Sequence, residues 1–298
     1  MRVGILRARD GWHLDQLEAA LKERGATVER FSWTRLSLEI GGGAAVASAG
    51  RSLEGLDALI PRVIPLASLE QIMFRMNTLR RVEAMGVRVV NRPEAIEKTV
   101  DKSYTSHILA DAGLPTPRTL VAEGMEEAMA AFESLRDAVV KPLHGSCGLG
   151  MTRISDPDTA YRVFRAMEQN RFVYYLQEFI ESGGSDLRVF VAGGRAVAAM
   201  RRRGDGWRHN YHRGAKVESA EATPAQVDFA ARAARLLGLD YAGVDFLPGP
   251  GGTDYIIEVN GIPGWRGLQS VARISVAGAI ADMVVHEARQ APHSSRGR

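Results

Sequence analysis

The sequence predicts a chain that opens as a small open α/β unit and closes as an α+β unit with a largely antiparallel sheet. Three observations carry that expectation. Short apolar runs alternate with helical periodicity up to about residue 95. From Val173 onward, strand-like segments follow one another closely. Gly193-Gly194 stands between two of them as a hairpin turn.

Val3 to Leu6 reads as a buried strand; Leu14, Leu17 and Leu21 then mark one face of a helix that Gly25 stops. Ala58 to Ile60 is a short strand ending at Pro61, residues 69–85 are helical up to Gly86, and Val87 to Val90 is another strand. The segment at 41–50, GGGAAVASAG, reads as a flexible loop or a hinge. A helix over 101–112 leads into the turn-rich connector Gly113-Leu-Pro-Thr-Pro117, and Ala138 to Lys141 is a strand that runs into a glycine-rich loop. The later strands are Val173–Phe179, Leu187–Ala192, Arg195–Met200, Tyr241–Leu247 and Asp254–Val259. A helix with Val227, Ala230, Ala234 and Leu237 on one face interrupts them, and Val276, Ile280, Met283 and Val284 mark a last helix. The expected organisation is an N-terminal α/β unit at 1–95, a central unit at 96–175, a C-terminal unit at 176–290 and a disordered tail at 291–298.

A chain of 298 residues exceeds what one core usually organises. Hydrophobic residues at 45% and charged residues at 24% match a globular, non-membrane composition, and no apolar run approaches the ~20 residues of a membrane span. The only N-terminal apolar run, Val3 to Leu6, is too short for a signal peptide. The single cysteine, Cys147, excludes an intramolecular disulfide and fits a reducing compartment, so the cytoplasm is expected. Thirty-eight basic against 35 acidic side chains leave a net charge of +3, too little to argue for nucleic acid. The local cluster Arg201, Arg202, Arg203, Arg208, His209, His212, Arg213 and Lys216 reads either as a solvated basic face or as an anion site. Only Trp207 and Tyr211 interleave aromatics there, so no nucleic-acid partner is expected.

Three elements carry chemistry. The first is Val139-Val140-Lys141 followed by Gly145-Ser146-Cys147-Gly148-Leu149-Gly150. Glycines let backbone N–H groups wrap phosphate oxygens, and a lysine at the strand end adds a point charge. The pattern is neither Walker A nor a dinucleotide fingerprint, and a plain turn would also use it. The second element is Asp245 with Glu258-Val259-Asn260. Residues two apart in a strand share a face, so Glu258 and Asn260 project together while Ile257 and Val259 face a core. Two carboxylates and an amide oxygen are hard ligands suited to Mg²⁺ shared with phosphates; the bland alternative is a solvent-facing strand. The third is Gln177-Glu178-Phe179-Ile180-Glu181 leading into Gly183-Gly184-Ser185-Asp186-Leu187-Arg188, which reads as an edge strand and loop or as a wall for a nucleoside.

Their order, completed by Asn210-x-His212-Arg213-Gly214 and Glu258-Val-Asn260-x-x-Pro-Gly264, resembles the ATP-grasp superfamily. Within it the chain is similar to the RimK-like amino-acid ligases over nearly its whole length, from Ile60-Pro61-Arg62 and Asn91-x-x-Glu-Ala-Ile96 through Asp101-Lys102 to Pro263-Gly264. The resemblance implies an ATP-grasp fold and roles for particular positions. Lys102 and Lys141 would contact ATP phosphates, and Gly145, Ser146, Gly148 and Gly150 would belong to a mobile loop over them. Gln177, Glu178, Phe179 and Ile180 would line the adenine, with Glu178 and Asp186 nearest adenine and ribose. Asp245, Glu258 and Asn260 would hold Mg²⁺ or Mn²⁺, two ions in all, and Arg203, Asn210 and Arg213 would hold phosphate or the reacting carboxylate. Trp265-Arg266 departs from the small apolar or acidic residue that relatives often carry there, so Arg266 either binds a carboxylate-rich substrate or is a substitution at the rim.

The implied reaction is ATP-dependent joining of a carboxylate to an amine through an acyl-phosphate, releasing ADP. L-glutamate is the amino acid expected. The expected acceptor is a small glutamyl-bearing cofactor or metabolite of the methanopterin or methanofuran kind. The alternatives are a protein acceptor, namely a ribosomal protein tail or an amino-group carrier protein, or a nucleotide-binding regulator without chemistry. A homo-oligomer, dimer or tetramer, is expected. No membrane partner is expected. No covalent nucleophile is legible, Cys147 reading as a small loop residue.

Overall fold

The computed structural model describes residues 1–42, 45–145, 148–204, 206–207 and 216–290. It opens with β1 (Arg2–Arg7), α1 (Trp12–Glu23), β2 (Thr27–Ser32), β3 (Leu36–Leu38), β4 (Val46–Ser48), β5 (Arg51–Ser52), β6 (Ala58–Pro61), α2 (Leu69–Ala84) and β7 (Arg88–Val89). A parallel sheet runs in the order β2-β1-β6-β7. Its central strands are continuous apolar runs because helices bury both faces: Val3, Ile5, Leu59 and Ile60 are all fully buried. α1 turns Leu14, Leu17 and Leu21 inward, and α2 starts at a capping box in which Ser68 and Gln71 satisfy each other's backbone N–H. The 41–50 segment is not simply a loop or hinge. It contains β4, the middle strand of a small antiparallel sheet β3-β4-β5. Val46 and Ser48 point inward and Ala47 outward, an alternation too short and too small in side chain to stand out among glycines.

The central unit comprises α3 (Pro93–Val100), α4 (Lys102–Asp111), β8 (Thr119–Ala122), α5 (Met125–Leu135), β9 (Ala138–Lys141), β10 (Thr152–Ile154), α6 (Pro157–Gln169) and β11 (Tyr174–Glu178). Its antiparallel sheet has the order β10-β9-β11-β8, and α5 and α6 close one face around Ala128, Phe132, Phe164 and Leu176. β11 runs through 175 and 176, so this sheet ends at Glu178, past the boundary expected at 175.

The last part is β12 (Ser185–Ala192), β13 (Arg195–Arg203), β14 (Lys216–Ser219), α7 (Pro224–Leu237), β15 (Tyr241–Pro248), β16 (Asp254–Asn260), α8 (Arg266–Gln269) and α9 (Val276–Gln290). The antiparallel sheet order is β14-β13-β12-β15-β16. One face buries Leu187, Val189, Val191, Val244, Phe246, Ile256 and Val259 against α7. α7 is rotated from the expected face: Ala230, Ala233, Ala234 and Leu237 are buried, while Val227 is exposed. The opposite sheet face is divided. At one end Phe190, Ala192, Met200 and Tyr241 share a single core with Val3, Leu17, Trp265 and Ile280. The N-terminal unit is therefore fused to the last sheet through buried apolar surface, each large side chain contributing roughly 1.5–3 kcal/mol. At the other end the same face is polar. Among the described residues no helix is long and apolar enough to cross a membrane. The expected tail, 291–298, lies outside the described residues.

Two buried polar side chains pin the N-terminal unit to this sheet. Asn91 donates to the carbonyls of Tyr241 (2.8 Å) and Gly261 (2.6 Å) and accepts from the N–H groups of Asp240 (2.6 Å) and Tyr241 (3.1 Å). Arg62 donates to the Tyr241 hydroxyl (3.1 Å) and the Pro263 carbonyl (2.9 Å), and its guanidinium lies 4.5 Å from the Trp265 ring centroid. The loop that follows β16 is thus held from the N-terminal side.

Candidate active site

The polar end of the last sheet faces the central sheet across a cleft of about 900 Å³, open mouth included. One part of its lining is apolar: Val139, Leu149, Met151, Phe179, Leu247 and Ile257. The Arg153 guanidinium, held by Asp137 at 2.9 and 2.6 Å, covers the Phe179 ring at 3.5 Å, and Trp207 meets that ring edge-on at 6.3 Å. A flat aromatic base fits such a wall.

The other part is charged. Lys141, at the end of β9, is 7% exposed and donates from Nζ to Gln177 Oε1. Gln177 in turn donates to Thr119 Oγ1 and Tyr175 Oη, each at 3.1 Å. Burial pushes the Lys141 ammonium down to about 8, partly offset by Glu258 across the cleft, with Lys102 adding to the lowering. Lys102, the first residue of α4, donates to the Gly145 carbonyl at 2.8 Å and is likewise lowered, chiefly by burial. Gly148 and Gly150 adopt φ of +65° and +75°. A side chain at 150 would also bring its Cβ to 2.8 Å from Pro142 Cγ, so the loop folds back on the strand end only with glycine there.

Strand pairing assembles the facing side. Asp186 on β12 stands opposite Arg202 on β13, and Asp245 on β15 stands opposite both Arg188 on β12 and Glu258 on β16. Arg202 grips Asp186 at 2.6 and 2.9 Å and reaches Asp245 at 3.0 Å. Arg188 grips Asp245 at 2.6 Å through each oxygen. Burial alone would raise the Asp245 carboxyl, but the two guanidiniums hold it below the ordinary aspartate value. Burial, with the Asp245 charge adding, raises Asp186 to about 6 against the pull of Arg202. The Glu258 side chain makes no hydrogen bond or ion pair with any described residue, although two lysines face it.

Of the residues singled out from sequence, Lys102, Lys141, Gly145, Gly148, Gln177, Glu178, Phe179, Ile180, Asp186, Asp245 and Glu258 line this one cleft, with Gly150 at its loop. Asn260 shares the strand but is not in the lining; its amide is 3.5 Å from the Gly243 carbonyl. Arg203 is outside the cleft, exposed and paired with Glu218 at 3.0 Å. Arg266 is exposed beside Trp12 (5.8 Å), its N–H donating to His13 Nε2 at 3.2 Å. Ser146, Asn210 and Arg213 lie outside the described residues. Ile257 corrects the simple alternation: it lines the cleft, and Ile256 takes the core position. Register shifts between Asp245 and Phe246, which leaves Ile257 as the extra residue of a bulge.

Among the described residues no three His, Cys, Asp or Glu side chains cluster as a metal cage. What the site offers is two carboxylates on neighbouring strands, one of them unpaired, beside lysines suited to phosphate. That donor set fits Mg²⁺ shared with phosphate oxygens, since Mg²⁺ takes few protein ligands in nucleotide sites.

Comparison with known proteins agrees with this geometry. A RimK PreATP-grasp domain matches residues 1–96 and a RimK-like ATP-grasp domain matches residues 99–284. A tetrahydromethanopterin:alpha-L-glutamate ligase of Methanosarcina acetivorans is 32% identical, the match covering 90% of this chain and 93% of the relative. A probable alpha-L-glutamate ligase of Maridesulfovibrio salexigens is 31% identical over all of both chains. Among solved structures, the ATP-grasp ligase PsnB with its minimal precursor, Mg and ADP superposes with a TM-score of 0.74 at 22% identity, covering 96% of this chain and 98% of that one.

Proposed function

The chain belongs to the RimK-like ATP-grasp family and is an ATP-dependent ligase, and from that premise we propose that it adds L-glutamate in amide linkage to a small glutamyl-bearing coenzyme or metabolite. The observation that carries the ligase chemistry is the unpaired Glu258 facing Lys141 and Lys102 across a cleft whose far wall is apolar. The acceptor class is supported by the relatives that are named as tetrahydromethanopterin ligases.

A carboxylate is a poor electrophile at neutral pH. In the proposed reaction its oxygen attacks the γ-phosphorus of ATP as the bond to ADP breaks. The glutamate amine then attacks the acyl carbon, phosphate leaves, and the amine proton passes to solvent. Lys141 and Lys102 hold the polyphosphate at the cleft floor, and Phe179 with Ile180 receives the base. Asp245 and Glu258, with Asn260 behind them, would hold Mg²⁺, which neutralises phosphate charge when bound. Two ions, a homo-oligomeric assembly and a cytoplasmic site of action belong to the same proposal.

Incubation with labelled glutamate, Mg²⁺–ATP and a cell extract separated by ultrafiltration tests the acceptor. Label should appear as an amide in the small-molecule fraction. Label confined to the protein fraction overturns the small acceptor and favours a protein tail.

A further inference from the structure

Of the two cleft carboxylates read as metal ligands, Glu258 is open and Asp245 is already neutralised. Asp245 is 2% exposed and gives both oxygens to Arg188, with Arg202 a third contact at 3.0 Å. The two arginines differ in how they are held. Arg202 is anchored independently by its two bonds to Asp186. Among the described residues, Arg188 hydrogen-bonds besides Asp245 only to the Gly264 carbonyl, at 3.5 Å, and Asp186 feels its charge without being gripped by it. The Arg188 stem crosses β15 at Gly243, where a Cβ would stand 3.5 Å from Arg188 Cδ and Nε and 3.1 Å from Pro263 Cβ. Glycine there leaves the arginine a path along the sheet face.

We propose that Arg188 is a stand-in cation on Asp245, displaced when a divalent ion enters together with the nucleotide. The inference rests on the reading of Asp245 and Glu258 as metal ligands. A divalent ion beside Asp245 meets the like charge of the guanidinium, which opposes binding. A polyphosphate arriving with the ion changes that balance, because its oxygens give a released guanidinium a new anionic partner. Metal entry is thereby made conditional on nucleotide entry, and the nucleotide-free protein binds metal poorly. The charge on Asp245 stays compensated in both states, so the fold does not carry a bare buried carboxylate.

Mn²⁺ titration followed by the spin-resonance signal of the free ion tests this, on wild type, Arg188→Met and Arg188→Lys, each with and without a non-hydrolysable ATP analogue. Without nucleotide, Arg188→Met should bind Mn²⁺ roughly tenfold or more tighter than wild type, and Arg188→Lys, which keeps the charge, should not. Adding the analogue should tighten Mn²⁺ on wild type by a similar factor. Should the methionine variant fail to fold, Arg188→Gln takes its place under the same criterion. The proposal is overturned if the neutral variant stays within about twofold of wild type, or if wild type binds Mn²⁺ as tightly without the analogue as with it. A wild type that takes no Mn²⁺ even with the analogue removes the metal-ligand reading itself, a result distinct from the other two.

Discussion

Replacing Lys141 by methionine separates what this lysine does for the nucleotide from what it costs the fold. Its side chain is almost fully enclosed, and burial brings it from the ordinary 10.5 to about 8. At 1.36 kcal/mol per pH unit, keeping it charged at pH 7 costs the folded state about 3 kcal/mol. Methionine fills a similar space without that charge but leaves Gln177 Oε1 without its donor, a loss of about 1–3 kcal/mol. Lys141→Met should therefore be as stable as wild type at pH 7, or more stable by up to about 2 kcal/mol. The sign of the pH dependence follows from the lowered value. Between about pH 8 and 10.5 the unfolded lysine holds a proton that the folded one has shed, so wild-type stability climbs through this window and the variant lacks that climb. ATP affinity moves the other way. Losing a charge-assisted bond to phosphate removes about 1.5–3 kcal/mol, a tenfold to hundredfold weakening. Urea unfolding at pH 7 and 10, paired with calorimetric ATP titration, measures both. A variant less stable than wild type by more than about 2 kcal/mol at pH 7, with parallel pH profiles and unchanged ATP affinity, would refute the reasoning and make Lys141 a structural residue.

Other outcomes follow from the same geometry. Asn91→Ala leaves four buried backbone groups unpaired at the seam between the N-terminal unit and the last sheet, and should cost at least about 3 kcal/mol in urea unfolding. Val259→Ala should destabilise by about 2 kcal/mol with ATP affinity unchanged, whereas Ile257→Ala should weaken ATP severalfold at little cost to stability; the reverse pattern would contradict the bulge. Arg203→Ala should change stability by less than about 1 kcal/mol, because its partner Glu218 is exposed, and should leave the Michaelis constant for the amino acid unaltered. In wild type, ATP affinity should fall as pH rises through about 8, where free Lys141 loses its proton.

Much of this site was legible because its residues sit in strands of clear period, each beside apolar neighbours. What was not legible was the register. Counting back from the Gly193-Gly194 turn, an unbroken hairpin would set Asp186 opposite Arg201 and put Arg203 on the same face. A bulge at Val197 shifts the pairing by one, so Arg202 turns into the cleft and Arg203 turns out. The bulge at Ile257 does the same on β16. Neither bulge carries a glycine or proline, so composition does not announce them. Helix α5 buries mostly alanine, a weak apolar stripe, whereas α6 carries Ala160, Val163, Phe164 and Met167 at regular helical spacing, a period absent from the expectations. The pairing of Arg188 with Asp245 depends on β12 and β15 being neighbours across a long connection, which local pattern does not encode.

The central claim is carboxylate activation by phosphoryl transfer from ATP, and isotope transfer tests it most directly. With the acceptor carboxylate labelled in heavy oxygen, a single turnover with glutamate and Mg²⁺–ATP should release ADP and phosphate carrying one labelled oxygen. Label found in AMP, or lost to water with the released phosphate unlabelled, would contradict an acyl-phosphate and with it the ligase mechanism proposed for this cleft.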